Sequence, residues 1–438
     1  MMARRVLKHG PLVNLPGEQT MNTRSRSFVN QLAASASILA LLAGHASADG
    51  FRNPPETAEA MARDGGKLTS INDASAMAVN PANMVGVDRA DGAVSLTLIH
   101  TETDYDSGVG SATTDDPWKI LPNAFLAFPI DPGTLVAGVA LTTPFGQSTV
   151  WEKDSVLRYS VPYHAELRVV NINPSVAARV NERVSVGLGF NVFNSELKLR
   201  QFLPWSSVVG NPAAPDGLMK FDGDGSGVGW NLGVQVKLTD RQSIGATYRS
   251  AVEVDYEGDF RVSNIPDPAL AAPKSDFESE IEFPSIAAVG YGIQVNDRLH
   301  IGVDVEWIEF STFQQLPLDI GVNNALLPLP GVPQQWDDTW TYGVGAEYRL
   351  NETWVLRGGY KFMETPIPDA TLAPTLPDAD RHLLTAGVGY QKGDHRLDMA
   401  YAYSIFDDRT TSGNPDPAMN GSYDISSHLF VITYGLQL

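Results

Sequence analysis

Ser427 and His428 are the residues that most resemble a nucleophile and its base, but they are adjacent in a run that reads as a strand. Neighbouring side chains on a strand point to opposite faces, so this pair shares no proton directly. Asp222-Gly223-Asp224-Gly225-Ser226-Gly227 opens like a calcium loop, yet the position that needs a bidentate glutamate holds Gly233. The stretch reads instead as a flexible outer turn. Gly225, Gly227 and Gly229 do not lead from a strand into a helix, which removes a dinucleotide reading. The 8 histidines are dispersed without zinc-ligand spacing, and there are 0 cysteines for a thiolate site or a disulfide framework. No metal site, cofactor or catalytic constellation is expected, so the chain reads as a non-enzyme.

With chemistry set aside, the elements that span the chain carry the argument. The 438 residues show no Pro/Ser-rich linker or compositional break after the leader, which favours one large closed architecture. Met21 opens an export signal: Arg24 and Arg26 form the basic start, Leu32 to Ala43 the short apolar run, and Ala46-Ser47-Ala48 the cleavage site. Residues 1–48 are therefore read as signal peptide, with residues 1–20 either an extension of it or sequence before the true start at Met21. The apolar run is too short for the roughly 20 residues of a spanning helix. The formal charge of −20 falls further once Arg4, Arg5, Lys8, Arg24 and Arg26 leave with only Glu18. Such a chain lacks the basic footprint of a nucleic-acid partner. Acidic loops facing water, bridged by divalent cations in a lipopolysaccharide layer, account for the charge.

Residues 49–87 have little period-2 pattern and contain Asn80-Pro81-Ala82 in a small-residue stretch. Ala74, Ala76, Met77, Ala78 and Val79 are too apolar for a solvated tail, so the segment is expected to pack inside something. From Gly92 onward the signal is alternation, beginning with Val94, Leu96 and Leu98. It recurs in fourteen segments, the last covering 423–438, an even number that suits a bacterial outer-membrane barrel. Tight turns at Asn181-Glu182, Thr239-Asp240, Asn296-Asp297, Asn351-Glu352 and Gly393-Asp394 alternate with long connections at 203–226, 259–277, 314–334, 364–380 and 408–422. Short periplasmic turns and long outer loops explain that asymmetry. Only helices and closed barrels satisfy every backbone group in lipid, and no helix of spanning length is present. Aromatics such as Trp118, Phe128, Trp340, Trp354 and Tyr434 fall near strand ends, as an interfacial girdle requires. Leu438 gives the chain an aliphatic end where outer-membrane chains usually finish in an aromatic residue.

Several ordered pieces carry a resemblance: Asn80-Pro81-Ala82, Ser185-Val186-Gly187-Leu188-Gly189-Phe190-Asn191, Gly229-Trp230-Asn231-Leu232-Gly233, Ala246-Thr247-Tyr248-Arg249-Ser250, Trp307 through Phe313-Gln314-Gln315-Leu316, and Pro377-Asp378-Ala379-Asp380-Arg381. Together they resemble the FadL family of outer-membrane long-chain fatty acid transporters and its aromatic-hydrocarbon importers, over the whole mature chain. The resemblance implies an all-β fold: a 14-stranded antiparallel transmembrane β-barrel, residues 88–438, blocked by an N-terminal plug, residues 49–87. It implies capture among the outer loops, an interior pocket beside the plug, and sideways release at a strand kink. The matching kink is Thr143-Pro144-Phe145-Gly146, where Pro144 removes a ladder donor and Gly146 weakens the strand.

An amphiphile needs a greasy tunnel and a group to hold its head. Phe145, with Phe193, Leu197, Leu199 and Phe202 on the fifth strand, are the tunnel candidates, although period 2 leaves open which face is inside. For the head group, Arg381 matches the family's Pro-Asp-x-Asp-Arg motif, and Arg200 lies where relatives carry a basic residue close by. A guanidinium suits a carboxylate through two parallel hydrogen bonds. The expected function is passive uptake of long-chain fatty acids or other hydrophobic small molecules by a monomer. It would sit among lipid and lipopolysaccharide in the outer membrane of a Gram-negative bacterium. The competing reading is a general diffusion porin for small polar solutes, which would need an open aqueous lumen; a structural or adhesive surface barrel is a third.

Overall fold

A computed structural model of the chain describes residues 50–321, 331–414 and 417–438. The expected signal peptide lies outside the described residues. Fourteen antiparallel strands form a ring. They are β1 Asp91–Asp106, β2 Trp118–Asp131, β3 Leu135–Thr142 continued by Gly146–Val150, β4 His164–Arg179, β5 Val184–Leu203, β6 Gly217–Thr239 and β7 Gln242–Arg249 with Val252–Val262. The ring continues with β8 Lys274–Phe283 and Ile286–Gln294, β9 Leu299–Ile308, β10 Thr339–Arg349, β11 Trp354–Met363, β12 Arg381–Lys392, β13 His395–Phe406 and β14 Ser422–Gln437. It closes within one chain, because β14 pairs with β1 from Asp91↔Gln437 to Asp106↔Ser422. Closure joins the first strand to the last, as strands in hydrocarbon require.

Strand parity separates two environments. On β9, Val303 and Val305 face outward while Asp304 and Glu306 are buried inside. On β14, Phe430, Ile432 and Tyr434 face outward while Val431 and Thr433 face in. An apolar outside and a polar inside is the inverse of a soluble barrel and fits a lipid-embedded wall. The tight turns all lie at one end, with Asp91 and Leu438 beside them, and the long connections at the other.

One connection differs from the sequence reading. Asp222–Gly227 is not an outer turn but part of β6, paired with β5 from Leu203↔Gly217 onward. Gly225 and Gly227 lie directly against Val254 and Val252 of β7, so the small residues on this face leave no apolar alternation to read.

Residues 50–87 lie inside the ring. They form α1 Ala58–Ala62, α2 Ala76–Val79 and a 3-10 turn Pro81–Gly86. Thr57 caps α1, and the wall side chain Thr433 accepts a bond from Ala58 N at 2.8 Å. Helix α1 touches β11 to β14, whereas the 3-10 turn touches β3 to β6, so the segment bridges opposite walls. Ala58, Met61, Ala62, Ala76, Met77 and Met84 are fully buried there, as expected of a stopper rather than a tail.

The wall makes room for the plug by omitting side chains. A Cβ on Gly187 would come within 2.6 Å of the Pro81 carbonyl oxygen, and one on Gly302 within 2.6 Å of the Gly66 oxygen. Replacing Gly187 by valine is predicted to unseat the Pro81 corner, costing about 1–3 kcal/mol of plug seating as overpacking does. Protease nicking of residues 76–86 should rise while the barrel keeps its heat-modifiable mobility on gels; unchanged nicking would show that the seat tolerates a side chain.

Candidate functional site

The ladder between β2 and β3 stops at Ala124↔Leu141. Beyond it β3 is interrupted at Thr143-Pro144-Phe145 and resumes as Gly146–Val150, which pairs only with β4. Residues 118–123 of β2 therefore have a partner on the β1 side and none in β3. The freed groups of the kink are met from inside. Asn53 N donates to Pro144 O at 3.0 Å, Gly146 N donates to Phe51 O at 2.8 Å, and Asn53 Nδ2 donates to Thr143 O at 2.9 Å. Arg52 and Phe145 thus form an isolated antiparallel bridge. Asn123 of β2 completes the seal, accepting from Thr143 N at 3.0 Å and donating to Glu56 O at 3.2 Å.

Phe51, 2% exposed, is the hub of an aromatic cluster. Its ring lies 5.1 Å from Trp336, 5.4 Å from Phe283 and Phe313, 5.6 Å from Phe310 and 6.0 Å from Phe145. Two cavities meet at this cluster. The upper one, about 1400 Å³ with its mouth included, is walled mainly by apolar side chains including Leu167, Leu197, Leu199, Met219 and Ile281. The lower one, about 1150 Å³ on the same measure, lies between the kink, the plug and the wall, and mixes Ile99, Leu383 and Leu429 with charged groups. Phe51 borders the upper cavity and Arg52 the lower.

The expected site residues divide between these places. Leu197 and Leu199 line the upper cavity, and Phe145 lines the lower one. Phe193 is buried between Phe145 and Phe283, at 5.9 and 5.7 Å. Phe202 does not join them. On β5 the odd positions point inward, so Phe202 and Arg200 stand on the outer face. Phe202 stacks on Tyr163 at 4.9 Å under Arg158, and Arg200 is held by Asp222 and the Phe221 carbonyl. That register, which the sequence left free, removes both from the interior. Arg381 points inward on the lower cavity wall, its Nη2 3.3 Å from Met363 Sδ and its guanidinium 5.9 Å from the Phe406 ring. Asn80 Oδ1 accepts from Ala82 N at 3.2 Å and Asn80 Nδ2 donates to the Leu68 and Val234 carbonyls, both at 3.3 Å. It ties the plug to itself and to β6, and Pro81 opens the 3-10 turn.

Phe51, Arg52, Asn53, Glu56 and Arg249 were not singled out from the sequence as site residues. Charged residues at inward strand positions, such as Glu306 between Val305 and Trp307, were the available signal. These inward charges clamp the plug. Arg52 pairs with Glu306 at 2.6 Å, Lys67 with Glu306 at 3.8 Å, Asp64 with Lys361 at 3.7 Å, and Arg63 with Glu347 at 3.1 Å. Arg357 faces Glu59, Glu347 and Asp398 at 3.2, 2.9 and 2.6 Å. Two guanidinium groups thus meet three carboxylates in this corner.

Burial pushes the Glu59 carboxyl up to about 7 against the pull of Arg357, with Glu347 and Asp398 adding to the rise. The seated plug therefore holds this proton more tightly than a released plug would. Its contribution to seating is complete below the ordinary value of 4.5 and lost as pH rises through about 7. Protection of the amides of residues 58–64, taken relative to the intrinsic exchange rate at each pH, should accordingly be greater at pH 5 than at pH 8, and Glu59→Gln should flatten that difference. Equal protection in the unmodified chain at the two pH values would contradict the assignment.

The sequence pattern of the family described as outer membrane protein transport protein (OMPP1/FadL/TodX) matches residues 39–438. A long-chain fatty acid transport protein of Escherichia coli O157:H7 is 25% identical over 411 residues, covering 85% of this chain and 91% of the relative. Its counterpart in Salmonella typhi is 24% identical over 400 residues, with the same shares. Among solved structures, a Pseudomonas aeruginosa FadL homologue superposes with a TM-score of 0.79 at 21% identity, over 89% of this chain and 99% of that one. The Ralstonia pickettii toluene transporter TbuX does so at 0.69 and 20%, over 89% and 99%. The chain belongs to the FadL family of outer-membrane channels for hydrophobic small molecules.

Proposed function

We propose that this chain takes up long-chain fatty acids or closely comparable amphiphiles by passive diffusion. The molecule is captured in the upper apolar cavity, passes Phe51, rests in the lower cavity beside the plug and leaves sideways between β2 and β3. The observation that carries this reading is the broken ladder at Thr143–Phe145, closed by the backbone of Phe51–Asn53 and the Asn123 side chain and not by the backbone of a neighbouring strand. A strand partner supplied by the plug can withdraw without unfolding the wall. Transfer of a tail out of water is favourable by roughly 0.8 kcal/mol per buried CH₂, which draws a long chain into the upper cavity without any energy source. The named activity of the E. coli and Salmonella relatives supports the fatty acid. Arg381 on the lower wall is assigned to the carboxylate head. Withdrawal of residues 51–56 on binding is a shift between states that the ligand biases by its differential affinity.

A diffusion porin would leave its lumen open, so single-channel conductance separates the two readings. The intact chain should conduct little, and deletion of residues 50–87 should open an ion pathway; porin-like conductance of the intact chain would overturn the import reading. Gly146→Ile should stiffen the rim of the break and slow oleate uptake about tenfold, a barrier change of about 1.4 kcal/mol. The barrel should stay folded, and unchanged uptake would move the exit elsewhere.

A further inference from the structure

We propose that the outer connection 364–380, folded inward as an arch, is the specificity element of the upper cavity, and that Trp151 and Gln147 fix its distance from the wall. The space it leaves admits a slender, flexible chain and excludes a wide, rigid ring system. The inference rests on the import reading and deepens it by naming the shape class of the molecule and the residues that select it.

Residues 364–380 join β11 to β12, and of them only Asp369 and Ala370 are exposed. Ile367 is 4% exposed and Leu372 1%. A connection so covered is not a solvated loop. It reaches to β3, with β13, β14, β1 and β2 standing between in the ring. There the buried Trp151 indole donates from Nε1 to Pro374 O at 2.8 Å, and Gln147 Nε2 donates to Thr375 O at 2.7 Å. Two ties hold its remaining parts: Asp337 N donates to Pro366 O at 2.9 Å, and Arg409 Nη1 donates to Asp378 O at 3.0 Å. Pro366, Pro368, Pro374 and Pro377 restrict the backbone between these points. The arch is stiff as well as anchored.

Its side toward the cavity is apolar. Ile367, Ala373 and Leu376 of the arch line the upper cavity together with Leu197 and Leu199 of β5 and Met219 of β6. A flexible chain follows so irregular a surface by rotating about its own bonds. A rigid ring system cannot, so it enters only if the arch moves away from the wall. That movement strips the Trp151 N–H of its acceptor, and a buried donor left without a partner is costly. Gln147 Nε2 keeps a second acceptor, Thr149 Oγ1 at 2.8 Å, so Trp151 is the stronger of the two anchors.

The test uses the full chain in detergent with oleate and pyrenebutyrate, two carboxylates of comparable carbon number that differ in the width and stiffness of the apolar part. Wild-type protein should bind oleate at least about tenfold more tightly than pyrenebutyrate. Trp151→Phe keeps a ring and removes the N–H. Combined with Gln147→Met, it should tighten pyrenebutyrate at least about fivefold and leave oleate within about twofold. General damage to the fold would weaken both ligands in parallel, so the ratio of the two affinities reads the arch itself. An unchanged ratio in the double variant, whether the two affinities hold or fall together, would overturn the assignment. Should that variant fail to fold, equal wild-type affinities for the two ligands would overturn it as well. Failure of wild-type cells to take up oleate at all would instead remove the import reading beneath it.

Discussion

In hydrocarbon every backbone N–H and C=O has to find a protein partner, and a barrel meets that demand by closing its ladder on itself. In this barrel the wall ladder is interrupted beside the plug. Between β2 and β3 the ladder ends at Ala124↔Leu141, and three groups of the kink are paired with Phe51 and Asn53 of the plug. The seal is a short piece of sheet whose one strand belongs to the plug and not to the wall. Phe51 also stands beside the upper cavity, so in the import route proposed above the same three residues close both the passage from above and the exit to the side, and one movement of this segment changes both.

The remainder of the plug is held differently. Glycines opposite Pro81 and Gly66 let backbone meet backbone, and inward charges such as Glu306, Glu347 and Arg357 fix the segment from 59 to 67 by ion pairs with little solvent. Breaking one partner of a buried pair costs about 3–5 kcal/mol. Several such pairs make wholesale expulsion of the plug expensive. Phe51–Glu56 is tied mainly by backbone bonds, one clamped arginine and aromatic contacts, so it is the cheaper part to move. The import route proposed above needs only that smaller change.

Most of the architecture was legible before the structure. Alternation from Val94 onward, the tight turns at Asn181-Glu182 and Asn351-Glu352, and the apolar stretch around Met77 gave the strand count, the polarity of the barrel and the plug. The site was less so, for a physical reason: period 2 groups residues by face but does not say which face is the lumen. Leu197 and Leu199 fell inside, whereas Arg200 and Phe202 fell outside by one step of register. The glycine-rich start of β6 was silent because a strand packed through its backbone needs no apolar side chains. Phe51 was not noticed, and Arg249 was quoted only within a stretch that carries the resemblance, because nothing local marks an aromatic in a tail or an arginine at a strand end as part of a site. Only the ring, which brings residue 51 to the upper cavity and residue 249 to the lower, gives them a place in the lumen.

The central claim is that Phe51–Asn53 must leave the broken edge of β3 for a molecule to pass. The chain has 0 cysteines, so Arg52→Cys with Phe145→Cys introduces a single thiol pair across the isolated bridge between those residues. Facing residues of an antiparallel pair lie within disulfide reach. The account predicts that the oxidised double variant stops oleate uptake and that reduction restores it in the same preparation. Uptake at one rate in both redox states would contradict it.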